Sequence, residues 1–115
     1  MTESELIAAI REKKKEIDRF GLEQLYELDL NLRAISQLLL DLSVLVGSKT
    51  EKGLHYEFVE GRLWSTIDKE ASRLVTDYKE SNKPRASAIS KRRLPDQLTS
   101  LKQRISSDLS MIDRA

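Results

Sequence analysis

Seven apolar residues, Leu25, Leu28, Leu32, Ile35, Leu39, Leu42 and Val46, follow one another at unbroken 3–4–3–4–3–4 spacing. An α-helix turns once every 3.6 residues, so this spacing stacks the side chains into one stripe that another helix must cover. A half-buried strand would need alternation with period two, and none runs through this stretch. Leu38, Leu40, Val44 and Leu45 widen the stripe until the second half of the helix is apolar on most of its circumference. Such a helix has to be covered on more than one side. Either it lies at the centre of an intrachain bundle or a second copy covers its free flank. Leucine at both a and d positions leaves the number of strands open. The expectation is an all-α chain of about four helices, an antiparallel bundle or coiled-coil-like hairpins, assembled as a homo-oligomer through these seven residues.

Breakers and caps divide the rest of the chain. Thr2-Glu3-Ser4-Glu5 has the form of a capping box, in which the Thr2 hydroxyl and the Glu5 carboxylate each take a backbone N–H of the first turn. The helix that follows places Leu6, Ile10, Ile17 and Phe20 on one face and stops near Gly21. The second helix runs from about Leu22 to Val46 and closes at Gly47. After a polar turn to Gly53, a third helix is expected to begin between Leu54 and Val59. Gly61 inside this stretch costs about 1 kcal/mol against alanine, which leaves open a start after it. Leu63, Ile67, Ala71, Leu74 and Tyr78 form its apolar stripe, flanked by Trp64 and Val75. Asn82-Lys83-Pro84 ends it, because a residue preceding proline avoids the α region. A last helix, starting around Pro95, carries Leu98, Leu101, Ile105, Leu109 and Ile112. The expected organisation is a helical core over residues 1–82, a basic linker over 83–95 and a C-terminal amphipathic helix over 96–115 packed on the same core.

Charge is distributed unevenly. The 115 residues carry a net +1, yet residues 1–82 hold 12 Lys and Arg against 16 Asp and Glu, and residues 83–115 hold 8 against 3. Lys83, Arg85, Lys91, Arg92 and Arg93 fall within eleven residues that contain no acid. Clustered cations of this kind neutralise phosphates, so these five are the candidate contacts to a DNA or RNA backbone. Lys102 and Arg104 lie beyond them. Aromatic residues that would stack on single-stranded bases are absent from the segment. A competing protein partner would meet an acidic face drawn from Glu57, Glu60, Asp68 and Glu70.

Catalytic patterns are sparse. One histidine, His55, and no cysteine exclude two-histidine and cysteine-based metal sites within one chain. Glu57 and Glu60 form a Glu-x-x-Glu pair, and Asp77 and Glu80 the same spacing; two such pairs could hold Mg²⁺. On one continuous helix, however, they would lie about 30 Å apart and could not converge. The four glycines stand singly, so no phosphate-binding loop or nucleophile elbow is present. A non-enzymatic protein without metal or cofactor is expected. No stretch approaches the roughly 20 apolar residues of a membrane span, and the first residues lack the basic and apolar regions of a secretory leader. A cytoplasmic protein without membrane contact is the corresponding expectation.

Overall fold

The computed structural model describes residues 1–83 and 88–114. Among the described residues there are helices and no strands. The capping box forms as its residues dictate: the Thr2 hydroxyl accepts from the Glu5 amide and the Glu5 carboxylate accepts from the Thr2 amide, each at 3.2 Å. It opens α1, Glu3–Arg19. A single 3₁₀ turn, Leu22–Gln24, leads into α2, Leu25–Val46. Gly47 ends α2 at φ 98°, a left-handed conformation that side chains resist.

The third helix begins earlier than its sequence implied. Thr50 is its N-cap, taking the Gly53 amide at 3.0 Å, so α3 runs Glu51–Thr66 with Gly61 inside it. Gly53 belongs to the helix because the helix passes directly beneath the turn. A Cβ there would lie 2.0 Å from the Gly47 carbonyl oxygen, which leaves glycine alone at this position. One turn of π-helix, Ile67–Ala71, joins α3 to α4, Ser72–Ser81, and the Ser72 hydroxyl donates to the Ile67 carbonyl at 3.1 Å. The last helix, α5, spans Ala88–Ser110 and ends in a 3₁₀ turn over Met111–Arg114. Its start is likewise earlier than expected. Pro95 lies inside α5, where it forfeits the bond its N–H would make one turn back. Burial of Leu94 and Leu98 on either side of the proline offsets that loss. Part of the segment expected to be linker is therefore helix.

The heptad stripe lies in the core. Leu25, Leu28, Leu32, Ile35, Leu39 and Leu42 are buried and Val46 is partly buried, all within a single chain. Expected to form an oligomer interface, these seven are covered by the chain's own helices, so the stripe is not a surface for a second copy in this fold. Leu63 of α3, Ile67 and Ala71 of the π turn and Leu74 of α4 join them, as do Leu98, Leu101, Ile105 and Leu109 of α5 and Ile112 of the turn after it. Trp64 departs from its expected place beside this core: it is 41% exposed, with the Arg33 guanidinium 5.5 Å from its ring centre.

Polar contacts set how the helices lie against one another. Ser36 donates to Glu60 at 2.7 Å and Ser43 to the Gly53 carbonyl at 2.9 Å, so α3 retraces α2 from the turn at Gly47. Asn31 of α2 reaches Glu16 of α1, and Lys102 of α5 donates to the Asp18 and Phe20 carbonyls where α1 ends. Beyond that level only two helices continue. The α4 helix packs on α5, while α1 and α2 cover the other portion of the molecule, which measures 52 × 20 × 18 Å. Four packed helices thus form a body, and α4 with the N-terminal half of α5 forms a two-helix hairpin projecting from one end.

Candidate nucleic-acid interface

The projecting hairpin collects the positive charge. Its described residues, 72–83 and 88–101, hold six Lys and Arg against three Asp and Glu, while residues 1–71 and 102–115 hold 13 against 16. The fold therefore converts an imbalance along the chain into one along the molecule's long axis. Two of the hairpin's three acids are engaged locally. Asp77 accepts from Gln97 at 2.9 Å and faces Arg73 at 3.9 Å, and Glu80 pairs with Lys83 at 3.0 Å.

The five expected phosphate contacts separate into three groups. Lys83 is present on the hairpin but paired with Glu80. Arg85 lies outside the described residues. Lys91, Arg92 and Arg93 are exposed on the first two turns of α5, with no ion pair among the described residues. The macrodipole makes a helix start favour anions, as Glu3 and Glu5 at the start of α1 do. The first turn of α5 contains no acid and is followed by two arginines. Cations there oppose the helix dipole and add to its positive end, which concentrates positive potential at the hairpin tip.

The fold also recruits cations that lie far away in the chain. An open groove of about 400 Å³ between the two hairpin helices is lined by Lys69, Arg73 and Arg93 together with Glu70 and Asp96. Lys69 and Arg73 were not singled out by sequence, because nothing in their spacing reveals that α5 returns beside them. Lys102 and Arg104, by contrast, serve the body. Lys102 caps the carbonyl end of α1, and Arg104 faces Glu70 at 3.6 Å.

The acids singled out by sequence are mostly occupied. Ser43 donates to Glu57 at 3.2 Å and Ser36 to Glu60, which ties both carboxylates to the α2–α3 seam. Glu70 faces Arg104, and Asp68 alone of the four has neither a hydrogen bond nor an ion pair among the described residues. Among the described residues no three His, Asp or Glu side chains gather in a way that could hold a metal ion. His55 Nε2 lies 2.6 Å from the Met111 carbonyl and anchors the C-terminal turn to α3.

One functionally suggestive feature turns out to be structural. Asp108 on α5 is buried, accepting from the Thr66 hydroxyl at 2.7 Å and facing the Arg62 guanidinium at 3.5 Å. These bonds satisfy a carboxylate that would otherwise be costly to bury. They lock α5 to α3 in the body. No helix among the described residues is long and apolar enough to cross a membrane. Comparisons with models of known protein families, with curated protein sequences and with solved structures yield no match.

Proposed function

We propose that this chain is a non-enzymatic accessory protein that binds the phosphate backbone of DNA or RNA through its basic hairpin and works as assembled copies. The observation that carries this reading is the segregation of charge: a net positive hairpin standing clear of a net negative body. A polyanion can approach the tip without passing the acidic surface, which repels it. Lys91, Arg92 and Arg93 make the contact, and Lys69 and Arg73 extend the positive surface along the groove. Backbone contacts of this type carry no base information, so little sequence preference is expected. Assembly multiplies the effect, because linked tips raise avidity with no new contact per copy.

The alternative reading, a helical inhibitor or adaptor that offers an acidic face to a basic protein, has weaker support. Three of its four acids already serve contacts within the chain. The experiment that tests the preferred reading is binding to single- and double-stranded nucleic acid across a range of salt. Affinity should fall as a power of salt concentration, with an exponent of about three lost when Lys91, Arg92 and Arg93 are all changed to Ala. Undetectable binding at low salt refutes the reading.

A further inference from the structure

With its core stripe covered, α2 still presents a second row of side chains on its outer side. Tyr26, Leu30, Arg33, Gln37, Leu40 and Val44 follow one another at 4–3–4–3–4 spacing. Tyr26 is 73% exposed, Leu30 47%, Leu40 38% and Val44 74%. The row reads the same in both directions: two apolar residues, two polar residues at its middle, two apolar residues. Its midpoint falls at Ile35. We propose that this outer face of α2 is a two-fold interface between two copies of the chain, with the two α2 helices packed side by side in opposite directions.

The palindrome is what identifies the occupant as a second copy. A two-fold axis at the level of Ile35 sets Tyr26 of each copy against Val44 of the other, Leu30 against Leu40, and Arg33 against Gln37. Every apolar residue of the row meets an apolar one and every polar residue a polar one. An isologous contact requires this kind of self-complementarity, and an unrelated partner does not. Asp41 lies one turn beyond Gln37 on α2, which brings a carboxylate of one copy within reach of the other copy's Arg33. Trp64 of α3, 41% exposed with the Arg33 guanidinium 5.5 Å from its ring centre, adjoins the row and extends its apolar face.

This interface specifies the assembly half of the proposed function and rests on that half alone. It also has a geometric consequence for the basic hairpins. Ile35 lies level with the middle of α3, since Ser36 meets Glu60. Each hairpin tip then stands about 30 Å from the axis by helical rise, and the two point in opposite directions. The dimer is a rod with a basic tip at either end, about 60 Å apart, a geometry that bridges two separate backbones instead of doubling the grip on one.

Cross-linking tests the contact directly, because the chain has no native cysteine. Leu30 and Leu40 of one helix are about 15 Å apart, too far for a disulfide within a chain. In the two-fold dimer, Leu30 of one copy meets Leu40 of the other. The double variant Leu30→Cys/Leu40→Cys should therefore oxidise to a covalent dimer, while each single variant stays monomeric on a denaturing gel. Cross-linking of either single variant would indicate parallel helices and overturn the proposal, as would failure of the double variant. Light scattering gives an independent reading. The wild type should have the mass of two chains, and Leu40→Glu/Val44→Glu the mass of one with unchanged helicity. A monomeric wild type, or a dimeric double-glutamate variant, refutes the interface. Nucleic-acid affinity of the double-glutamate variant, measured at one site, separates the two halves: it should persist at a single tip even where dimerisation is lost.

Discussion

The four-helix body and the two-helix hairpin are built from the same material and differ in what covers them. In the body, each apolar stripe faces others, so that Ile17, Leu32, Ile35, Leu39 and Leu42 are fully shielded from water. Among the described residues the hairpin has Leu74, Leu94, Leu98 and the partly buried Val75 and Tyr78 to hold two helices together. Burial of apolar surface is the main favourable contribution to folding, so the body is the stable unit and the hairpin depends on it. Charge follows the same division. Where packing is strong the surface is acidic and its helix start is capped; where packing is thin, cations accumulate at a helix start that electrostatics would reserve for anions. Stability resides at one end and charge is displayed at the other.

The sharpest way to break this comparison is Leu39→Asp. A carboxylate at a site with no exposure and no partner loses its hydration with no compensating bond. The cost exceeds the roughly 5–15 kcal/mol margin's lower bound for a small domain, and the variant should lose its helical circular dichroism outright. Retention of helicity and melting temperature would mean that the α2 stripe is not the core. Leu94→Ala is the matched change in the hairpin. It should raise amide exchange in α4 and in the first half of α5 while leaving the exchange-protected amides of α1 and α2 as they were. Equal loss of protection in both regions would show that the molecule unfolds as one unit and that the division into body and hairpin has no energetic meaning.

Much of this division is legible in the chain, and the gaps have physical causes. Heptad spacing located the stripes of α2 and α5 because covered helices repeat their apolar residues wherever they pack. The Thr2 box and the Gly47 stop are local chemistry and need no knowledge of neighbours. The start of α3 is hidden in the sequence because Gly53 resembles a turn residue; only the close approach of the Gly47 carbonyl shows that it is a packing glycine. Pro95 reads as a helix start for the same reason, since the apolar contacts that carry α5 across it come from α4. Asp108 did leave a signal. It continues the 4–3–4 row of Leu101, Ile105 and Ile112, where an acid is out of place unless a partner awaits it. Lys69 and Arg73 left none, because their role depends on a helix that returns from elsewhere.

Two intermediate tests probe how the body is tied together. Asp108→Ala removes the acceptor for the buried Thr66 hydroxyl and should lower stability by about 1–3 kcal/mol in chemical denaturation; Asp108→Asn, which keeps an acceptor, should recover part of it. Tyr56 offers a test by pH. Burial, together with the hydrogen bond it donates to the Glu3 carboxylate, pushes its hydroxyl up to about 12. The folded state thus favours neutral tyrosine. Its contribution is complete below pH 10, the unfolded value, and is lost as pH rises through about 12. Glu3 moves the opposite way, lowered by its bonds from Lys52 and Tyr56, so its contribution is present above the usual carboxylate range and lost in acid. Tyr56→Phe should flatten the alkaline limb of a stability–pH curve while retaining an acid limb from the Lys52–Glu3 pair.

The smallest expected effect bears most directly on why the two ends differ. If Lys91 stands near the start of α5 for the sake of an outside ligand, the helix is less stable than its sequence could make it. Lys91→Glu would set a negative charge against the positive end of the helix dipole and relieve repulsion with Arg92 and Arg93. The hairpin should gain a few tenths to about 1 kcal/mol, read as slower amide exchange in α5, even as affinity for nucleic acid falls. The opposite signs separate function from structure, since a lysine kept for packing would lose stability on replacement. If Lys91→Glu destabilises the hairpin, the cation has a structural partner and the tip was not shaped for a polyanion.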